Sequence, residues 1–295
     1  MSIADLALVT ATRMPKPDPE SGLLVDALAE LGVRATIHAW DQPCDWSQFP
    51  LVVSRTPWDY FHRVDEFLHW ARGVAAVTEL LNPLPTIAWN AHKSYLLDLE
   101  AAGVPIVPTV LVGRRAGAEE RDAALSRFSQ AVIKPAVAGG ALDALRVDAT
   151  VDADAAAAHL GRLLAEKDAL VQPFMAGIQS DGETSLIFFD GQLSHAIRKV
   201  PAAGDFRVHQ HHGGTVLHHA PSPAELRVAA AAVAVAPAAT VYARIDMVPG
   251  SSGPAVMEAE LIEPELFLGT DPAVPGRYAR CLARRLSGAA RAAYP

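Results

Sequence analysis

The sequence predicts an α/β protein that begins with a parallel sheet and continues into two lobes that are richer in strands. Over the first eighty residues, apolar strand-like runs alternate with an amphipathic helix, as in a parallel sheet covered by helices. From residue 169 onward, apolar runs follow one another with short turns between them, which indicates antiparallel pairing. A chain of 295 residues can bury the cores of two or three lobes. We place these lobes at 1–83, 84–174 and 175–295.

The N-terminal lobe contains three predicted strands and one clear helix. The strands are "DLALVTA", "RATIHAW" and "LVVSRTPWDY", and the helix "GLLVDALAELG" ends at Gly32. Ligands of open α/β sheets bind beyond the carboxyl ends of the strands, and Arg55 lies at that end of the third strand. Arg55 is therefore a candidate for bidentate pairing with a substrate carboxylate. A structural ion pair to Asp59 or Asp65 explains this arginine equally well.

The middle of the chain begins with a proline-rich segment, "LLNPLPTIAWN", which we interpret as a linker. It continues with the helix "AHKSYLLDLEAAG", a helix near 118–128, the strand "AVIKPAV" and a helix near 152–166. The strand-rich part consists of "ALVQPFM", "TSLIFFDGQLSHAIRKV", "TVYARIDMVPG" and "AVMEAELIE", followed by a helix near 274–286. The Asp-Gly pair in the second of these runs predicts a tight hairpin turn.

Composition and charge restrict the classes of partner. Acidic residues outnumber basic ones, 33 against 25, and the net charge of -8 argues against a nucleic-acid-binding surface. The membrane-like stretch 228–243 is short and is interrupted by Pro237, which predicts a buried helix running into a strand. The first residues do not have the pattern of a signal peptide. We therefore expect a cytoplasmic protein without a membrane partner.

The stretch "VMEAELIEPELFL" combines core residues with four glutamates, although unpaired carboxylates are rarely buried. Side chains alternate along a strand, so Glu258 and Glu260 share one face and Met257 lies on the other. The strand "RIDMV" lies a short hairpin upstream, and antiparallel pairing would bring Asp246 beside the two glutamates. Three oxygen donors without His or Cys suit Mg²⁺. An edge strand with one solvated face is the alternative.

Two lysines and a pair of glycines are candidate anion-binding groups. Lys134 lies inside the apolar run "AVIKPAV", which suggests a lysine that points into a cleft or reaches the surface from an edge. Gly139 and Gly140 follow it and allow backbone N–H groups to approach phosphates. Lys93 opens the helix in "NAHKSYLL", and a helix N-terminus favours anions.

These motifs resemble those of the ATP-grasp superfamily, and five of them occur in the same order over most of the chain. The resemblance implies an ATP-grasp fold, in which an N-terminal parallel α/β pre-ATP-grasp domain precedes two ATP-grasp lobes. It also implies that Lys93 and Lys134 bind the phosphates of ATP, and that Glu183 binds the ribose hydroxyls. The motif "LVQPF" is similar to the adenine-reading hinge, which consists here of Gln172, Pro173 and Phe174.

The rest of the resemblance lies in the strands that contain the predicted metal ligands and in the motifs around them. "RIDMV" and "VMEAELIEP" are similar to the metal-binding strands, so Asp246, Glu258 and Glu260 are the implied ligands of Mg²⁺ or Mn²⁺. Within the superfamily, the chain most resembles bacterial glutathione-synthetase-like ATP-grasp ligases. That group includes the cyclo-ligase that closes O-ureidoserine to cycloserine, which resembles this chain in "GETSLIFFDG", "SHAI" and "MEAELIEP".

The segment "IRKVPAAGDFRVHQHHGG" is similar to the arginine-bearing segment of bacterial glutathione synthetases. The resemblance implies that Arg198, Arg207 and His209 are catalytic residues near the acyl phosphate. A transition-metal site and a solvated loop are the alternatives for the histidines of this region.

Two glutamates follow the metal-binding strand. Glu265 replaces a small residue of the final motif and is a candidate substrate contact. Pro264 interrupts the ladder, and alternation puts Glu263 on the opposite face from Glu260, so we expect Glu263 outside the metal shell.

The resemblance implies an ATP-dependent carboxylate–amine ligase that acts through an acyl phosphate on small amino-acid-like substrates and releases ADP and phosphate. Ring closure within one molecule, as in the O-ureidoserine cyclo-ligase, is one alternative. Nucleotide binding without catalysis is the other. The resemblance also makes a homodimer the default expectation.

Overall fold

The computed structural model describes residues 5–205, 207–208 and 213–292, and it contains three sheets. The first sheet has the strands β1 Leu6–Thr10, β2 Ala35–Ala39, β3 Leu51–Thr56 and β4 Glu79–Leu81. The second has β5 Val110–Val112, β6 Gln130–Pro135, β7 Leu145–Asp148 and β8 Ala169–Pro173. The third has β9 Glu183–Phe189, β10 Gln192–Val200, β11 Thr215–His218, β12 Tyr242–Gly250 and β13 Gly253–Glu260.

The first sheet has the order β2-β1-β3-β4, and all its pairs are parallel, which confirms the predicted sheet. The helices α1 Glu20–Glu30 and α2 Val64–Ala75 connect its strands. The linking segment "LLNPLPTIAWN" has regular structure of its own, because it contains the last two residues of β4 and the helix α3 Leu84–Asn90. Its prolines are compatible with a helix because they lie at its start, where a missing N–H breaks no helical hydrogen bond.

The second sheet has the order β5-β8-β6-β7 and is antiparallel throughout. The helices α4 Tyr95–Ala101, α5 Ala118–Leu125 and α6 Ala153–Leu164 belong to this part of the chain. The sequence patterns do not predict β7. This strand has four residues and only Val147 is buried, so it has too little apolar periodicity to be recognised.

The third sheet has the order β11-β10-β9-β12-β13 and positions most of the candidate site. The predicted turn between β9 and β10 is confirmed: Asp190 and Gly191 have φ values of 49° and 73°, as a two-residue type I′ hairpin requires. The short helix α7 Gly177–Ser180 precedes β9. The helix α8 Pro223–Ala234 packs on β12 and β13 and begins with a capping box formed by Ser222 and Glu225.

The last helix, α9 Ala273–Ala292, packs against α1 near the start of the chain. Tyr278 and Leu282 of α9 share one core with Leu24 and Leu28 of α1, and Phe189 of the third sheet belongs to the same core. The first and third sheets are therefore joined by common apolar packing. Among the helices that the structure describes, none combines the length and the apolar character needed to cross a membrane.

Candidate active site

One face of the third sheet carries the predicted carboxylates. Asp246 of β12 lies opposite Glu258 of β13, and Arg244 lies opposite Glu260, so the predicted antiparallel pairing is confirmed. On the other side of β12, Asp246 lies opposite Ser185 in β9. Residues directly opposite each other in an antiparallel pair point to the same face. The register therefore gathers the acidic side chains of three strands.

A cleft opens over this face. Its lining includes nine residues that the sequence had indicated: Lys134, Gln172, Pro173, Phe174, Glu183, Arg207, Asp246, Glu258 and Glu260. The second sheet contributes Lys134, Gln172 and Pro173, and the third sheet contributes the four carboxylates. The cleft thus lies between the two sheets, with cationic and anionic side chains facing each other.

Glu258 is held by the two predicted phosphate lysines. Its Oε1 atom lies 3.0 Å from Lys134 Nζ and 3.3 Å from Lys93 Nζ. Burial opposes the charge on the glutamate, but the two lysines hold the pKa of Glu258 well below its ordinary value. Burial also works against the charge on Lys93, but Glu258 holds the pKa of this lysine above its ordinary value. Glu258 and Lys93 are therefore both charged at neutral pH.

Lys93 is positioned by the turn that precedes α4. Its backbone N–H donates to the carbonyl of Ala136, which follows β6, at 2.8 Å. The predicted position of Lys93 at the opening of the helix is thus two residues before the first helical residue, Tyr95. This hydrogen bond fixes the turn beside the strand that carries Lys134.

Asp246 lies at the centre of a second ion-pair network. It accepts hydrogen bonds from Arg244 Nη2 at 2.9 Å, from Lys199 Nζ at 3.0 Å and from Ser185 Oγ at 2.5 Å. Burial would raise the pKa of Asp246, but Arg244 and Lys199 hold it below its ordinary value. Arg244 also pairs with Glu260, and Lys199 also pairs with Glu183. Burial raises the pKa of Glu183 to about 7.

Sequence reasoning missed two cations of this network, Arg244 and Lys199. Arg244 is two residues before Asp246 in the same apolar strand, so alternation alone could have placed it on the carboxylate face. Lys199 lies opposite Glu183 in the β9–β10 pair. Only the register of that hairpin distinguishes this lysine from its neighbour Arg198.

Of the three predicted catalytic residues, one points away from the cleft, one lines it and one lies outside the described residues. Arg198 lies opposite Thr184 and Leu217, on the face that points away from Lys199 and the cleft, so the structure does not bring it to the site. Arg207 lines the cleft and pairs with Asp205 at 2.8 Å. His209 lies outside the described residues.

The structure contradicts the two explanations offered for Arg55. This side chain is fully buried, and its Nη2 atom lies 3.1 Å from Glu20 Oε2, whereas Asp59 pairs with Arg63. A buried ion-paired arginine has no room for a substrate carboxylate. Sequence proximity suggested Asp59 and Asp65, but strand β3 places Arg55 beside helix α1. Glu265, the other candidate substrate contact, pairs with Lys16 at 2.5 Å.

Two expectations about the alternation around β13 are wrong. Met247 lies opposite Val256 while Asp246 lies opposite Glu258, so Met257 is the extra residue of a β-bulge. Met257 consequently lines the cleft together with Glu258. The strand ends at Glu260, so alternation does not extend to Glu263. Although β13 is an edge strand, Glu258 and Glu260 form ion pairs in the cleft and do not make up a solvated face.

The glycine loop after β6 packs on the N-terminal lobe. A Cβ atom at Gly139 would lie 3.1 Å from Cε1 of Phe61, so only glycine leaves full room for this ring. Gly140 has φ +61°, a conformation that glycine adopts without strain. Ala141 and Ala144 of the same loop line the cleft. The loop therefore covers the cleft from the side of Lys134.

The predicted adenine hinge is held from both sides. Gln172 Nε2 donates to Thr109 Oγ1 at 2.8 Å, and the backbone N–H of Phe174 donates to Gln130 O at 2.9 Å. The guanidinium of Arg146 lies 3.6 Å from the centroid of the Phe174 ring, which is a cation–π contact. These contacts fix the end of β8 at the wall of the cleft.

The three implied magnesium ligands fit a cation to different degrees. Their carboxylate oxygens are the donors that Mg²⁺ prefers. The side chains of Glu258 and Glu260 are 24% and 26% exposed, whereas Asp246 is 4% exposed and already accepts from Arg244 and Lys199. Within 5–205, 207–208 and 213–292, no three His, Cys, Asp or Glu side chains are arranged as a metal site. Asp246 would reach a cation only after releasing one of its present partners.

Gly182, next to Glu183, offers a test of how the site depends on backbone geometry. It has φ +78°, and a Cβ atom there would lie 2.5 Å from the carbonyl oxygen of Lys199. A strained backbone conformation alone costs about 1–3 kcal/mol. We expect Gly182→Ala to lower the free energy of unfolding by more than this, because a backbone clash is added to the strain. The measurement is urea denaturation.

Gly191→Ala is the matched control, because Gly191 has φ +73° but has no atom within 4 Å of the added Cβ. It should show only the cost of the left-handed conformation. Equal losses in the two variants would contradict a role for the contact with Lys199.

Comparisons with known proteins agree with this geometry. Residues 6–82 match the family model of the N-terminal domain of D-cycloserine synthetase DcsG, and residues 102–251 match the ATP-grasp domain of prokaryotic glutathione synthetase. The cycloserine biosynthesis protein DcsG of Streptomyces lavendulae is 37% identical over 95% of this chain and 98% of its own length. The crystal structure of D-cycloserine synthetase DcsG superimposes with a TM-score of 0.87 at 34% identity, over 95% of this chain and 99% of that one.

A more distant structure shares the fold. The RimK domain ATP-grasp protein from Sphaerobacter thermophilus has a TM-score of 0.69 at 19% identity and covers 94% of this chain and 99% of that one. Fold and site therefore define an ATP-grasp enzyme, of the ADP-forming carbon–nitrogen ligase class. The chain belongs to the prokaryotic glutathione synthetase family of ATP-grasp proteins.

Proposed function

We propose that the protein transfers the γ-phosphoryl group of ATP to a substrate carboxylate and then joins the resulting acyl phosphate to an amine. The observation that carries this proposal is the approach of Lys93 and Lys134 to Glu258 in one cleft. Phosphoryl transfer depends mainly on positioning and on neutralising charge, and this arrangement provides both. Membership in the ligase class sets aside nucleotide binding without catalysis.

The nucleotide would occupy the cleft along its length. The adenine would be held by Gln172, Pro173 and Phe174. Glu183 would accept hydrogen bonds from the ribose hydroxyls. Lys93 and Lys134 would bind the phosphates together with the backbone of Gly139 and Gly140. Because both lysines now contact Glu258, their release toward the phosphates would leave that carboxylate available to a cation.

Glu258, Glu260 and Asp246 would hold Mg²⁺, which neutralises phosphate charge when bound. Arg244 bridges Asp246 and Glu260 on this face of the sheet through its two ion pairs. Arg207, which is 39% exposed at the cleft, would neutralise the acyl phosphate, with His209 beside it in sequence. Lys199 would take the place that the sequence resemblance gave to Arg198, because it is the residue of β10 that pairs with Asp246 and Glu183.

We propose that the substrate is small and amino-acid-like. Ring closure is a second candidate because the 37% identical relative is a cycloserine biosynthesis protein that matches nearly the whole chain. In that case one molecule would supply both the carboxylate and the nitrogen nucleophile. A homodimer and a cytoplasmic location remain predictions of the sequence.

The proposed reaction should produce ADP and phosphate in equal amounts, without AMP. The test is incubation with ATP, Mg²⁺ and O-ureidoserine, followed by nucleotide chromatography and mass spectrometry of the product. Cycloserine formation would support ring closure, whereas ADP formation only after addition of a separate amine would support joining of two molecules. The variant Lys134→Ala should form neither product. AMP and pyrophosphate would contradict the acyl-phosphate mechanism and would indicate adenylation.

A further inference from the structure

Arg146 of β7 extends the wall of the cleft beyond the residues that the sequence indicated. In the second sheet, Val132 of β6 lies opposite Gln172 of β8 on one side and opposite Arg146 on the other. Residues directly opposite each other in antiparallel strands point to the same face of the sheet. Val132 and Gln172 both line the cleft. The side chain of Arg146 therefore leaves β7 on the face that borders the cleft.

The guanidinium of Arg146 lies over the ring of Phe174, which itself lines the cleft. Its Cζ atom is 3.6 Å from the ring centroid, well inside the distance of about 6 Å at which a cation is attracted to an aromatic face. The same ring packs against an apolar cluster that includes Ile178 and Val208. Cationic and apolar contacts thus confine the ring at the wall of the cleft.

Gln130 connects Arg146 to the backbone of Phe174. The backbone N–H of Phe174 donates to the carbonyl oxygen of Gln130 at 2.9 Å, and Arg146 Nη2 donates to Gln130 Oε1 at 3.2 Å. Because this N–H is already used, Phe174 can offer a nucleobase its carbonyl and its ring, but not its backbone donor. Gln130 and Arg146 together therefore fix both the backbone and the ring of Phe174.

An ion pair does not account for the position of Arg146. In the part of the chain that the structure describes, no carboxylate oxygen lies within 4.0 Å of its guanidinium. Arg146 also differs in place from the phosphate lysine of the neighbouring strand. Lys134 lies two residues after Val132 on the same face of β6 and pairs with Glu258, whereas Arg146 contacts the hinge. The two cations therefore serve different parts of the cleft.

We propose that Arg146 is a positioning residue for the adenine of ATP, an inference that rests on the proposed function. Arg146 holds the ring of Phe174 at the wall of the cleft, and the base packs against that ring. Arginine suits this role because its planar guanidinium can stack on an aromatic face while its N–H groups donate hydrogen bonds, here to Gln130. Arg146 acts through Phe174 and leaves the phosphates to Lys93 and Lys134.

The test separates the base from the phosphates by using adenosine and pyrophosphate as probes. Titration calorimetry on the full chain, with Mg²⁺ present, measures how each probe competes with a non-hydrolysable ATP analogue. Arg146→Met removes the guanidinium and should weaken adenosine binding about two- to fivefold, as expected for an exposed cation–π contact. Pyrophosphate binding should stay unchanged. Arg146→Lys should bind adenosine better than Arg146→Met, because an ammonium can also lie over the ring.

Arg127→Met is the matched control. The guanidinium of Arg127 lies 5.5 Å from the ring centroid of Phe128 in the same lobe, but neither residue lines the cleft, so adenosine should bind as it does to the wild type.

Three results would overturn the inference. They are a wild type that does not bind adenosine, unchanged adenosine binding in Arg146→Met, and equal weakening of both probes, which a merely structural role would produce. A loss confined to pyrophosphate would identify a direct phosphate contact and would overturn it as well. The proposed function fails separately, if no small carboxylate substrate stimulates ADP formation while adenosine binding still depends on Arg146.

Discussion

Exchange of Glu258 for glutamine should lower turnover by about 10²- to 10³-fold and raise the Mg²⁺ concentration needed for half-maximal rate. The amide keeps the shape of the side chain but removes the charge that a cation requires. The same carboxylate also holds Lys93 and Lys134 at 3.3 and 3.0 Å, so both lysines lose their common partner. Steady-state rates of ADP formation over a range of Mg²⁺ concentrations measure both effects.

Two further glutamine variants make this expectation specific. Glu260→Gln should change the magnesium dependence in the same direction, because Glu260 is the other accessible carboxylate of the strand. Glu263→Gln should leave it nearly unchanged. If Glu258→Gln and Glu260→Gln both show the magnesium dependence of the wild type, then β13 does not supply ligands to the metal ion.

Replacement of Arg244 by alanine should lower the free energy of unfolding by about 3–5 kcal/mol. Arg244 is 5% exposed and contacts Asp246, Glu260 and the carbonyl of Glu265. Its removal leaves buried negative charge without its main partner and leaves the carbonyl of Glu265 without this donor. The shift of the urea denaturation midpoint, at an unchanged slope, measures the loss.

Arg284→Ala is the matched control for this variant. Arg284 also pairs with an aspartate, Asp190, but its side chain is 67% exposed. Exposed ion pairs contribute about 0–1 kcal/mol, so this variant should denature close to the wild type. Comparable midpoint shifts in the two variants would show that the network around Asp246 does not stabilise the fold.

The carboxylate hairpin could be predicted from sequence because its signals are local. Alternation within "RIDMV" and "VMEAELIE" and their short separation were sufficient to place Asp246 beside Glu258. The bulge at Met257 was not predictable, because one extra residue changes the face of a side chain without changing the apolar pattern. Local periodicity therefore predicts pairing better than it predicts the direction of each side chain.

The cationic half of the site depends on contacts that are distant in sequence. Whether Arg198 or Lys199 faces Asp246 is decided by the register between β9 and β10, and the two choices differ by one residue. The partner of Arg55 is Glu20, 35 residues earlier, because β3 and α1 pack together in the first lobe. Sequence reasoning offered Asp59 and Asp65, which are near Arg55 in the chain but do not pair with it.

The hydrogen bonds between the N-terminal lobe and the backbone of 263–268 also bear on how the enzyme folds. Trp58 and Arg55 bind carbonyls 205 and 209 residues later, and Glu20 binds the N–H of Leu268 across 248 residues. Contacts between such distant residues close large loops and form slowly. The third sheet, built largely from hairpin neighbours, can pair before these contacts exist. After dilution from denaturant, the far-ultraviolet circular dichroism signal should therefore return before catalytic activity does, because these long-range contacts are completed last.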